Sequence, residues 1–153
     1  MAVRDRREAR AITVPHSAVR FSGAMLALAV VAVHVADQGG VMVLNSPAWI
    51  GWGYRLIEVG GVLTAMVLLL PRPVRLVPAW GGWAAGVLLG TGPFAAYVLS
   101  RTVGVPGDPG DVGNWDYWVG TVSLLVEAGL VALSISMLPS LRETLTSRFR
   151  RDQ

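Results

Sequence analysis

Apolar residues in this chain fall into four long runs, each closed by a break. The runs cover 21–38, 50–70, 79–100 and 115–137. A bilayer core of about 30 Å needs about 20 largely apolar residues in a helix, and each run comes close to that length. The breaks are Gly39-Gly40, Pro71-Arg72-Pro73, the Gly/Pro/Asp stretch 104–114, and Pro139. Proline lacks an amide donor and glycine carries excess backbone entropy, so both end helices. The expected fold is all-α: a four-helix transmembrane bundle. Residues 1–18 form a basic tail without apolar periodicity, 19–139 the transmembrane domain, and 140–153 a second, amphipathic tail.

Composition agrees. Hydrophobic residues make up 53% of the 153 and charged residues only 15%. Mean hydropathy is +0.52. A soluble domain of this size needs more charge to cover its surface, so lipid is the expected covering. Cysteine is absent, which excludes disulfides and thiolate chemistry. All 13 basic residues are arginine, and Ala, Val, Leu and Gly are abundant, a composition that suggests a high-GC bacterial genome.

The placement of arginine sets an orientation. Arg4, Arg6, Arg7, Arg10 and Arg20 precede the first run, Arg72 and Arg75 join the second to the third, and Arg142, Arg148, Arg150 and Arg151 follow the fourth. The other two connections carry Asp37, Asp108, Asp111 and Asp116, with Arg55 and Arg101 near the span ends. Cytoplasmic flanks collect arginine, so both termini are expected inside, at a bacterial plasma membrane. The basic balance therefore points to the membrane surface and not to nucleic acid. Trp49, Trp52, Tyr54, Trp115, Tyr117 and Trp118 are expected at the outer interface, and Trp80 and Trp83 at the inner one. The first run is read as an anchor and not a cleaved signal, because His34 spoils a small-x-small site at Val35-Ala36-Asp37.

Past Pro139, Ser140 and Glu143 fit a capping box, with Leu141, Leu145 and Phe149 on one face and arginines around the rest. That predicts a short amphipathic helix on the cytoplasmic leaflet, the alternative being a continuation of the fourth span. Within the spans, Gly82, Gly86 and Gly90 repeat every four residues, a helix-packing stripe continued by Pro93, Tyr97 and Arg101. Pro93 should bend that span. Gly23, Ala27, Val30 and His34 make a similar stripe on the first span, Gly61 and Ala65 with Glu58 on the second, and Gly120, Ser123, Glu127 and Ser134 on the fourth. These stripes should meet inside the bundle.

Ionisable groups in a span are costly and face the protein interior. His34, Asp37, Glu58, Tyr97, Arg101 and Glu127 are the expected intramembrane polar cluster. Glu127 lies about 18 Å in from Trp115, near the midplane. A carboxyl group there needs a partner, with Arg101 reaching down or Tyr97 donating as candidates; it either fixes helix register or serves a proton or ion. Arg55 and Glu58, at i and i+3, can pair locally, which would withdraw Glu58 from the cluster. His34 and Asp37 share a face and could help bind a metal, but a single histidine is few for a first shell. No triad, phosphate loop or paired zinc histidines are present, bis-histidine haem ligation lacks its second histidine, and the aspartates of 108–116 lack calcium-loop spacing. No metal and no cofactor is expected.

The segment Tyr97-Val98-Leu99-Ser100-Arg101-Thr102-Val103-Gly104-Val105-Pro106-Gly107, with Glu127 in the next span and His34 near the outer end of the first, resembles a family of small four-span actinobacterial integral membrane proteins. That family has no established activity. The resemblance implies the topology and a part for Arg101. The expected function is a non-enzymatic accessory or assembly subunit, or a homo-oligomeric component, acting through the glycine face of the third span among lipids and other membrane subunits. The competing reading is a small transporter or channel with a polar path from the outer face to Glu127. A third is a metal- or quinone-binding redox component.

Overall fold

A computed structural model describes residues 15–41, 43, 45, 47–70, 78 and 80–149, with the backbone alone for 139–149. Four helices carry the fold: α1 His16–Asp37, α2 Ala48–Leu69, α3 Gly81–Thr102 and α4 Trp118–Phe149. The first three have 22 residues each, about 33 Å at 1.5 Å per residue. All four are long and apolar enough to cross a membrane.

Boundaries differ from the reading of the runs in three places. α1 begins at His16, so His16 lies in the helix and not in a tail, and Arg20, ahead of the expected span, is also helical. Pro15 sets that start: its extended backbone precedes the first turn, as Pro47 does for α2. α4 begins three residues late, at Trp118, because Asn114 and Trp115 are tied into turns through their amides. α4 then runs through Pro139 to Phe149, so the backbone shows a continuation of the span and not a new helix start at Ser140. The side chains of that capping box and of Leu141, Leu145 and Phe149 lie outside the described residues. So do the tail 1–14, the arginines of the 71–77 link, and Arg150 and Arg151.

The helices alternate in direction and form a closed square. α1 lies along α2 and α4, α3 along α4 and α2, and across the diagonal α1 barely touches α3. The end that holds the last residues of α1 and α3, the first of α2 and α4 and the 103–117 segment is the loop end. The first residues of α1 and α3 and the last of α2 belong to the other end.

Polarity is inverted relative to a water-soluble bundle. His34, Gln38, Glu58, Thr64, Arg101, Ser123, Glu127 and Ser134 are buried, while Leu56, Leu88 and Leu125 stand more than 70% exposed on the outer surface. Such a surface is costly in water and neutral against acyl chains. The small-residue stripes turn inward: Gly23, Ala27, Val30 and His34 on α1, Gly61 and Ala65 on α2, and Gly120, Ser123, Glu127 and Ser134 on α4 are all buried.

The glycines of α3 are used up inside this bundle. A Cβ at Gly82 would meet Leu68 of α2 at 3.0 Å. One at Gly90 would lie 2.8 Å from the Glu127 carbonyl oxygen of α4, and one at Gly86 would collide with Ser134. Trp83 corrects the interfacial expectation. It is 2% exposed and fills the core with Ala24, Ala27, Leu68 and Leu130. Gly23 makes its room, since a Cβ there would stand 2.8 Å from the Trp83 ring. Trp80, half exposed, keeps an interfacial position. Arg20 satisfies the end of α2, donating from Nε to the Leu68 carbonyl at 2.7 Å and from Nη2 to the Leu70 carbonyl. Terminal carbonyls lack helical donors, and a cation suits the negative end of the helix dipole.

Candidate functional site: a one-ended polar cavity

The four polar stripes converge towards the loop end, where they leave a cavity of about 510 Å³. His34 and Asp37 of α1, Tyr54 of α2, Tyr97 and Arg101 of α3, and Ser123 and Glu127 of α4 line it. Tyr117, Asp108 and Asp111 from the 103–117 segment complete the mouth. Beneath Glu127 the bundle is filled by Val30, Ala27, Leu130 and Leu89, so the cavity has a floor.

Glu127 forms that floor, 1% exposed and about 14 Å along α4 from its first residue. Ser123, one turn earlier, donates its hydroxyl to Glu127 Oε1 at 2.6 Å. His34 Nε2 stands 3.6 Å from the same oxygen. His34 Nδ1 lies 2.9 Å from the Val30 carbonyl, which can only accept. Nδ1 therefore carries its hydrogen, and Nε2 is the ring atom turned to Glu127. Glu127 Oε2 is buried with no hydrogen-bond partner among the described residues. A carboxyl oxygen and an imidazole nitrogen thus face each other at the bottom of an open cavity.

The Tyr97 ring packs against Gly120. A Cβ at Gly120 would be 2.6 Å from its Cζ and hydroxyl, so only glycine leaves space for the ring there. The Tyr97 hydroxyl is buried with no hydrogen-bond partner among the described residues. The Arg101 guanidinium sits over the same ring, 4.7 Å from its centroid. Arg101 is 5% exposed and its Nη1 is paired with the Asp111 carboxylate. The Gly113 amide donates to the Arg101 carbonyl at 2.9 Å, and the Trp49 indole to the Pro106 carbonyl at 3.2 Å, so the segment is docked across the mouth. Gly104, with φ +81°, makes the turn that sends the chain back from α3.

Asp37 holds the rim. It accepts from the Tyr54 hydroxyl and, at 2.7 Å, from the Tyr117 hydroxyl. Tyr117 lies before α4, and its phenol is pushed up to about 12, first by this hydrogen bond to an anion and then by burial. An unfolded tyrosine titrates near 10. The folded state therefore holds the proton more tightly, and this contribution to stability is complete below pH 10 and lost as pH rises from 10 to about 12. Thermal unfolding followed between pH 9 and 12 should show that loss in the native chain, and a shallower fall in Tyr117→Phe.

Of the six residues expected in one cluster, His34, Asp37, Tyr97, Arg101 and Glu127 line the cavity. Glu58 does not. It is held by Arg55 Nη1 one turn away and by the Gln38 amide, and Arg55 also reaches the Val43 carbonyl. Neither expected partner meets Glu127: Arg101 is taken by Asp111 and the Tyr97 hydroxyl stays apart. Sequence reasoning missed Tyr54, Tyr117, Asp111 and Ser123 as site residues. Their sequence positions suggest the interfacial belt for the first two, a loop for Asp111 and packing for Ser123. The i, i+4 spacing of Ser123 and Glu127 was the one signal present.

Among the described residues, no three of His, Asp and Glu gather as a metal-ligand set. No protein-family model matches the chain, and neither does any curated protein or solved structure.

Proposed function

We propose that the chain is a multi-pass membrane protein of a bacterial plasma membrane, with both termini cytoplasmic, that takes up a small polar solute through the loop-end cavity as a small transporter. One observation carries this reading: among the described residues Glu127 Oε2 is buried without a hydrogen-bond partner, and Glu127 lines the loop-end cavity. A carboxyl group that merely fixed helix register would have both oxygens satisfied by neighbouring helices. The accessory-subunit reading rested on a glycine face free to meet a partner. Gly82, Gly86 and Gly90 face α2 and α4 instead, so that support is gone. The arginine distribution supports a loop end that faces outside. The resemblance to four-span actinobacterial proteins is consistent with this topology. Transport would require the apolar packing below the floor, which includes Val30 and Leu130, to open in a second state.

The absence of cysteine supplies the test. Ser123→Cys places a thiol beside the floor and Ser134→Cys places one below it. In vesicles with the loop end outward, a small membrane-impermeant methanethiosulfonate should modify the first faster than the second by about two orders of magnitude, because a thiolate must meet water to react. Equal rates at the two positions, or modification of Ser123→Cys from the opposite face only, would overturn the proposal.

A further inference from the structure

We infer that the solute is a small organic cation, a protonated amine with an apolar body. This rests on the cavity reading above and assigns its ligand class.

The lining charge is unbalanced. Asp37, Asp108, Asp111 and Glu127 face the cavity, against Arg101 and His34. Arg101 is cancelled by Asp111. His34 can offer at most one charge, and it sits on Glu127. Asp37 accepts two tyrosine hydroxyls, which solvate its charge without neutralising it. No basic side chain pairs with Asp37 or Asp108 among the described residues. The mouth is therefore negative, and low-dielectric walls focus its field inward. An anion finds little net attraction: the Arg101 Nε has no hydrogen-bond partner among the described residues, but Asp111, paired at Nη1, cancels the charge of its guanidinium.

A second, independent observation points to a bound positive group. Glu127, 1% exposed at the floor, has in Oε2 an acceptor to which nothing among the described residues donates. An ammonium group has donors and no acceptor, which is the complement of that atom. The walls between mouth and floor are aromatic and apolar: Tyr54, Tyr97, Trp49 and Ile57 line them. Aromatic faces attract a cation within about 6 Å of the ring centroid, and the Arg101 guanidinium over Tyr97 shows this wall already doing so. The apolar surface suits the hydrocarbon body that a metal ion or hydrated sodium lacks.

The test holds shape constant and varies charge. Benzylammonium, benzyl alcohol and benzoate are offered to Ser123→Cys while a neutral methanethiosulfonate modifies it, so reagent charge plays no part. Gly53→Cys is a second reporter on the cavity wall, where a Cβ meets nothing within 4 Å and Glu127 is left untouched. Benzylammonium should protect both thiols, and the alcohol and the acid should protect neither. Asp37→Asn and Glu127→Gln should each weaken protection about tenfold, the scale of one charge-assisted hydrogen bond. Asparagine still accepts from Tyr54 or Tyr117, so Asp37→Asn keeps the rim.

Equal protection by benzyl alcohol, protection by benzoate, or none by any of the three would overturn the cation assignment while leaving the cavity intact. Failure of both thiols to react at all would instead sink the cavity reading itself.

Discussion

Gly90→Val should cost the bundle about 3 kcal/mol, as overpacking at a close helix contact does. The new Cβ would lie 2.8 Å from the Glu127 carbonyl oxygen, and its methyls would add to a collision with the Val131 side chain. A backbone atom cannot swing aside, so α3 and α4 must part along their length. Glu127 would move with α4, and the cavity floor with it. Gly92 is the control on the same helix. A Cβ there meets nothing within 4 Å, so Gly92→Ala should be neutral or slightly stabilising through helix propensity. Unfolding in mixed micelles by titration with a denaturing detergent, followed by circular dichroism, separates the two. Coincident midpoints for Gly90→Val and the native chain would show that the α3–α4 contact is not as close as described.

Glu127→Leu and Glu127→Gln should divide structure from chemistry. Leucine removes the acceptor of Ser123 and the group facing His34 Nε2. Leaving a buried polar group without a partner costs about 1–3 kcal/mol. Loss of about 2 kcal/mol is expected, because Ser123 can turn back to a helix carbonyl and recover part of it. Glutamine keeps an oxygen for Ser123, so its stability should stay close to native. It has no ionisable group, however, and should weaken benzylammonium protection about tenfold. Measuring detergent unfolding and thiol protection on both variants gives the two answers separately. Equal destabilisation by Gln and Leu would make the carboxyl a structural tie, and retained protection in Gln would remove Glu127 from the binding site.

The helices themselves were legible because a bilayer leaves the chain little choice. Every backbone group must be bonded within its own helix, so long apolar runs become helices whatever their neighbours do. The inward stripes were legible for the same kind of reason. Gly23-Ala27-Val30-His34 and Ser123-Glu127-Ser134 share a face by helical geometry alone, and burial of polar and small residues follows from the surrounding lipid. Arg55 and Glu58 met as expected, since i and i+3 adjacency needs no tertiary knowledge. Local punctuation was less dependable. Pro139 lies within α4, where its backbone continues as helix to Phe149, and Pro15 starts α1 earlier than the apolar run suggests.

The pairings that make the site depend on quantities that periodicity does not contain. His34 meets Glu127, and Asp37 meets Tyr117 at 80 positions' separation, only because α1 and α4 are neighbours with one particular axial offset. Sliding one helix past the other by a single turn, about 5.4 Å, would exchange these partners without changing either helix's sequence pattern. Arg101 turned to Asp111 and away from Glu127 because the 103–117 segment folds back over α3, and a loop's path is set by its own turns and docking. Trp83 entered the core because Gly23 of another helix left a hole for it. Helix formation and facing are local consequences of bonding and solvent. Which side chains finally touch is set by interhelical register, a property of the assembled bundle.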